Sequence, residues 1–170
     1  FSADYHRAKS DAKPYPLFVK PDKKLSLQDV FSLVRDHYEG TRYDMTKDLF
    51  AGPFGNPNRV RPLSWEIDGN RFSFERPIST YNPAFSFVAQ LRNYLPDDIG
   101  GVAWFGVDDT FTSCYFPIYC QTLEIADPFA TGDINSYSRN SAWWSFNFVA
   151  NYANTRYSDM IVDIKKLQSE

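Results

Sequence analysis

The chain has 170 residues and is 43% hydrophobic and 23% charged, the proportions of a globular domain rather than a disordered chain. A net charge of −3 leaves no basic stripe to neutralise phosphates, which argues against nucleic acid; apolar stretches break within about ten residues, too short to span a bilayer. Aromatic residues make up 18% of the chain, with 15 Phe, 11 Tyr and 4 Trp, and this points to a large packed core or to a surface that something else covers.

Residues 1–25 are polar and punctuated by Pro14, Pro16 and Pro21, and read as an extended lead-in. Phe1-Ser2-Ala3-Asp4 has no basic and apolar regions of a signal peptide. Without an initiator Met, the chain is expected to begin inside a longer product. Ser26 opens a helix, with Asp29 three residues on near the positive end of the dipole. Leu27, Val30, Phe31 and Val34 give it one apolar stripe, and the helix is expected to stop near Tyr38, before Gly40. Residues 40–70 are rich in Gly, Pro and Asn, as in Gly52-Pro53-Phe54-Gly55-Asn56-Pro57, which is turn chemistry. A short strand at Trp65 and Ile67 turns at Asp68-Gly69-Asn70.

From Phe72 the pattern changes to strands. Phe72 and Phe74 alternate with polar residues, and Phe85–Leu91 reads as a second strand. Gly101–Val107, Asp108-Asp109 and Thr110–Cys120 read as a long hairpin whose arms are covered on both faces. The two cysteines, Cys114 and Cys120, would lie about 20 Å apart on a straight strand, so no disulfide is expected between them. From Ser141 the apolar residues recur at helical intervals, with a break near Thr155–Ser158. The residues alone give an α+β chain with hairpins.

No complete catalytic set is visible. Phe1 has neither hydroxyl nor thiol. Cys114 is the one candidate thiol nucleophile with aromatic neighbours, but neither His6 nor His37 is aligned with it as a base; a buried structural thiol is the plainer reading. Two Cys and two His at these spacings match no metal-ligand pattern. Asp36, Glu39, Asp44 and Asp48 surround His37 in sequence, and read as a solvated helix end and loop. Asp108-Asp109 reads as the turn of the hairpin. Arg76 sits where a strand meets a proline turn, and its guanidinium either points into a cleft, where it recognises a carboxylate in a bidentate way, or pairs with Glu75 or Glu66. Trp143-Trp144-Ser145-Phe146-Asn147-Phe148 offers a sugar-stacking or partner-docking face, but on a helix it points in nearly every direction, so packing against protein is the plainer reading.

Several segments, taken in order, resemble the C69 family of dipeptidases, which are amino-terminal-nucleophile hydrolases. They are Lys24–Val30, Asp36–Thr41 with Tyr43-Asp44, Gly52-Pro53-Phe54-Gly55, Glu75-Arg76-Pro77-Ile78-Ser79, Ser86–Arg92, Leu95-Pro96, Gly100–Trp104, Tyr115–Tyr119 and Ser141-Ala142-Trp143-Trp144. The resemblance implies a four-layer αββα sandwich, with strands between Phe72 and Cys120 in the sheets and the helices at Ser26 and Ser141 in the outer layers. It implies hydrolysis of dipeptides by a cysteine made the first residue by processing, whose α-amino group serves as the base. That cysteine is missing here. The expectation is therefore a single segment, residues 1–170, of a larger catalytic domain. It has no catalytic residue of its own, no metal or cofactor, and a partner in the nucleophile-bearing segment of the same protein. Arg76 and Ser79 match the family's Arg-x-Ile-Ser segment and are expected to bind substrate. Two other readings stay open: a non-enzymatic module that binds protein or glycan through exposed aromatics, and a self-contained Cys114 enzyme. Dipeptide preference, homo-oligomer formation and compartment are also open.

Overall fold

A computed structural model describes Asp4, residues 12–59 and residues 61–169. His6 and most of the start of the expected lead-in lie outside the described residues; residues 12–25 form no helix or strand. Helix α1 spans Leu27–Val34. The Asp29 N–H donates to Ser26 Oγ at 3.1 Å and the Ser26 N–H donates to Asp29 Oδ2 at 2.8 Å, so two orphan donors of the helix end are satisfied reciprocally. Lys23, 2.9 Å from Asp29, and Ser26 hold the Asp29 carboxyl below the usual carboxylate range.

The helix ends earlier than its pattern predicts. Arg35 leaves the helical conformation, and its guanidinium donates to the carbonyls of Thr110 and Ser113 at 3.2 and 3.0 Å. Asp36 Oδ1 then accepts the Tyr38 N–H at 3.1 Å, and Tyr38 adopts φ 64°. A side chain that bonds its own backbone in this way competes with helix continuation.

Strands β1 (Ser64–Ile67) and β2 (Asn70–Ser73) form a hairpin with Trp65 opposite Phe72. Asp68 and Gly69 both have positive φ, 51° and 76°, as a two-residue turn of this hand requires. Strands β3 (Phe85–Leu91), β4 (Gly101–Val107) and β5 (Phe116–Tyr119) make an antiparallel sheet in that order. A single helical turn, α2 (Asp97–Gly100), precedes β4. On one face of this sheet Trp104 meets Phe31 of α1 edge-on at 5.7 Å, and donates from Nε1 to Gln90 at 3.1 Å. The opposite face carries Phe85, Phe87, Ala89 and Leu91, all exposed; Phe87 is 61% and Leu91 85% accessible.

The second hairpin arm was expected to start at Thr110, directly after a turn at Asp108-Asp109. It starts at Phe116 instead, and residues 108–113 form a buried loop. Asp109 Oδ1 accepts from the Thr112 N–H and hydroxyl at 2.8 and 2.6 Å, and Asp108 has φ 65°. The loop's carbonyls are taken by two side chains from outside it: Arg35, just past the end of α1, and Gln168, whose Nε2 donates to Phe111 and Ser113 at 2.9 and 3.0 Å. Cys114 and Cys120 are both free thiols, as expected, although only Phe116–Tyr119 of the segment joining them is strand.

After a single turn, α3 (Asp127–Ala130), the chain ends in α4 (Ala142–Thr155) and α5 (Tyr157–Ser169), broken at Arg156. Phe111 of the buried loop packs with Ala153, Tyr157, Ile161 and Ile164 to form the core. The molecule is thus α+β, with antiparallel sheets and flanking helices.

Candidate functional site

The β1–β2 hairpin, the loop before it and the segment leaving β2 enclose a cleft of about 360 Å³. Arg76 and Ser79 both line it, along with Arg59, Leu63, Phe74 and Tyr81. Three long-range hydrogen bonds hold the segment carrying Arg76. Tyr38 Oη donates to the Arg76 carbonyl at 2.7 Å, the Ser79 N–H donates to the Asp36 carbonyl at 3.1 Å, and the Ser79 and Thr110 hydroxyls lie 2.6 Å apart. Thr110 gives its proton to the Val34 carbonyl at 2.7 Å, so Ser79 must be the donor to Thr110. Ser79 is fully buried, and its hydroxyl ties the Arg76 segment to the end of α1.

The Arg76 side chain is exposed, and among the described residues it forms no ion pair with Glu75, Glu66 or any other carboxylate. Arg76 lines the cleft beside Glu75. Arg59, which the sequence reading passed over, is buried at 6% exposure. It pairs with Asp48, donates to the carbonyls of Met45 and Phe50 at 3.3 and 3.1 Å, and lies over the Phe74 ring. Among the described residues its buried Nε has no hydrogen-bond partner. No local pattern marks Arg59, because its contacts come from the folding of a loop.

The acidic residues around His37 are not a solvated surface. His37 is fully buried and Asp44 is 7% exposed. His37 Nδ1 lies 3.2 Å from Glu39 Oε1, and its ring meets Phe111 edge-on at 4.8 Å. Burial pushes the Glu39 carboxyl up, but hydrogen bonds from the His37 ring and backbone outweigh it and hold it at about 2. Asp44 is also opposed by burial and is held at about 2 by Thr46, the Gly40 N–H and Lys47. These carboxylates act as caps for a tight loop, which explains their burial: each lone pair that leaves water gains a donor. Asp108 is different. Burial, and then the neighbouring Asp109 charge, raise it to about 6 against the Asn147 hydrogen bond. Burial raises Asp109 also.

Cys114 is half-buried, and burial pushes its thiol up despite the nearby Arg35 charge. That is the opposite of an activated nucleophile. Trp143 and Trp144 direct their indole N–H groups to the carbonyls of Ala84 and Asp133, each at 3.0 Å, so both rings are tied to the protein. Among the described residues no group of three or more His, Cys, Asp or Glu is placed to hold a metal ion, and no helix is long and apolar enough to cross a membrane.

The chain is thus α+β, and its cleft is lined by an arginine that forms no ion pair among the described residues. The chain belongs to peptidase family C69, whose model matches residues 2–170. It is similar to a probable dipeptidase of Salmonella dublin, 30% identical over 110 residues, covering 65% of this chain and 21% of the relative. It is also similar to probable dipeptidase A of Streptococcus pyogenes serotype M1, 23% identical over 89% of this chain and 28% of that protein. Dipeptidase A of Lactobacillus helveticus is 21% identical over 92% of this chain and 29% of its own length. The chain thus spans between a fifth and a third of these relatives. No solved structure matches it.

Proposed function

We propose that this chain is part of a cysteine dipeptidase, in which the nucleophile is an amino-terminal cysteine on another part of the protein, Arg76 binds substrate, and Ser79 holds the Arg76 segment in place. The observation that carries the reading is Arg76 itself: an unpaired guanidinium at a cleft, in a chain of a peptidase family whose similar relatives are named dipeptidases. A dipeptide always offers a carboxylate, and a guanidinium fork matches its geometry. Cys114 is not the nucleophile in this reading, because burial disfavours its thiolate.

The fold we propose for the whole domain is a four-layer αββα sandwich. The apolar face of Phe85, Phe87 and Leu91 supports it, since a sheet that packs a helix on one side and carries exposed aromatics on the other suits a second sheet. Testing the activity requires the full-length protein and a panel of unblocked dipeptides. Turnover should be lost on alkylation of a single cysteine that is neither Cys114 nor Cys120, and Cys114→Ala should remain active. Absence of turnover, or inactivation that maps to Cys114, would overturn the reading; the 170-residue chain alone should hydrolyse nothing.

A further inference from the structure

We infer that the cleft seats the carboxy-terminal residue of the dipeptide and selects an apolar one, with its carboxylate on Arg76 and its side chain against Leu63, Phe74 and Tyr81. This deepens the reading of Arg76 given above and rests on it.

Charge fixes the orientation. Arg59 is already neutralised by Asp48, so among the described residues lining this cleft Arg76 is the cation that forms no ion pair. Glu75 lines it too. Its charge repels a bound carboxylate, so an anion is held only where the Arg76 guanidinium offsets that repulsion, and a second acidic group on the side chain is disfavoured.

Chemistry of the wall fixes the selectivity. Phe74 is held rigid by Phe50 and Trp65, each ring 4.9 Å away edge-on, and by the Arg59 guanidinium. Leu63 and Tyr81 stand beside it with about two-fifths of their surface exposed, at 42% and 41%. An apolar side chain removes that surface from water, whereas a polar one set against Leu63 and the Phe74 ring gives up hydration there without a hydrogen-bond partner from either. The cleft lies near the small end of ligand sites, which run from about 300 Å³ upward. That is room for one residue and its carboxylate rather than for an extended peptide.

The test uses the full-length protein with Ala-Leu, Ala-Phe, Ala-Ser and Ala-Asp, together with calorimetric binding of free leucine, leucinamide and aspartate. We expect kcat/KM for Ala-Leu and Ala-Phe to exceed that for Ala-Asp by at least tenfold. Leu63→Asp should abolish that preference mainly through KM, and Leu63→Met should restore it. Leucine should bind at least tenfold more tightly than leucinamide or aspartate, and Arg76→Lys should weaken its binding. Equal rates for Ala-Leu and Ala-Asp, or an unchanged preference in Leu63→Asp, would overturn the inference while leaving the peptidase reading intact. If no dipeptide is cleaved, that reading fails. Leucine binding then still decides the cleft: binding lost in both Leu63→Asp and Arg76→Lys supports it, and binding unaffected by either overturns it.

Discussion

Arg59 and Arg76 line the same cleft and differ in what their charge is committed to. Arg59 braces a loop by donating to two carbonyls and pairing with Asp48, whereas Arg76 is exposed and unpaired. Replacing Arg76 with Lys keeps the charge and removes the fork. If Arg76 binds substrate in the full-length protein as proposed, losing that charged hydrogen bond should cost about 1.5–3 kcal/mol, or roughly ten- to a hundredfold in kcat/KM. The melting temperature should hardly move, because among the described residues that side chain makes no hydrogen bond or ion pair. A variant that melts earlier but keeps full activity would assign Arg76 to structure instead.

Asp108 gives a pH dependence at the same scale. Its carboxyl is raised from 3.8 to about 6, so between these values the native state holds a proton that the unfolded chain has released. Folding therefore takes up a proton in that window, and this group's contribution to stability falls as pH rises from about 4 to about 6, then stays level. Glu39 and Asp44, held at about 2, act in the opposite sense at lower pH, since their stabilisation is lost as pH falls through the range below about 4. Asp108→Asn should keep the acceptor for Asn147 and tolerate the left-handed backbone. Urea midpoints of wild type and variant should coincide near about pH 4 and separate by about pH 7, with the variant the more stable.

Among the elements, α1 shows most directly how a local code sets a boundary. The Ser26–Asp29 capping box stands in the sequence and in the structure, and Ser26→Ala should cost about 0.5–2 kcal/mol, read as faster amide exchange in the first turn of α1. The other end of α1 was not legible, because Arg35 is drawn out by Thr110 and Ser113, more than seventy residues away. The β1–β2 turn and the bounds of β3 and β4 were legible for the same reason as the cap: Asp68-Gly69 and alternating aromatics act over a few residues. The stretch from Thr110 to Tyr115 misled, since an apolar and β-branched run looks like a strand. Its conformation is set by Asp109 bonding Thr112 and by helices packing around Phe111. The burial of His37 and Asp44 has the same origin. Arg76 was picked out by resemblance and chemistry, and its partner in the cleft, Arg59, carries no local sign.

At the scale of the whole molecule, the two faces of the three-stranded sheet are unequal. Phe31 of α1 meets one, while Phe87, at 61% exposure, stands on the other. If a second sheet covers that face in the full-length protein, Phe87→Ala should behave as a core truncation and cost about 3–5 kcal/mol. If the face stays in solvent, the same change should fall within about 0.5 kcal/mol of wild type, as surface substitutions do. Chemical denaturation of the full-length protein separates these outcomes.

Strand β3 is also the rim of its sheet, paired with β4 on one side only. Its sequence, Phe85-Ser86-Phe87-Val88-Ala89-Gln90-Leu91, has no charge and no proline, the two devices that most often keep such a rim from recruiting a further strand. The consequence falls on biosynthesis. If a further segment of the full-length protein covers this rim, then until it docks the strand offers newly made copies of itself a sticky, self-complementary template. Its yield during translation then depends on a race between docking and chaperone capture on one side and intermolecular β-stacking on the other.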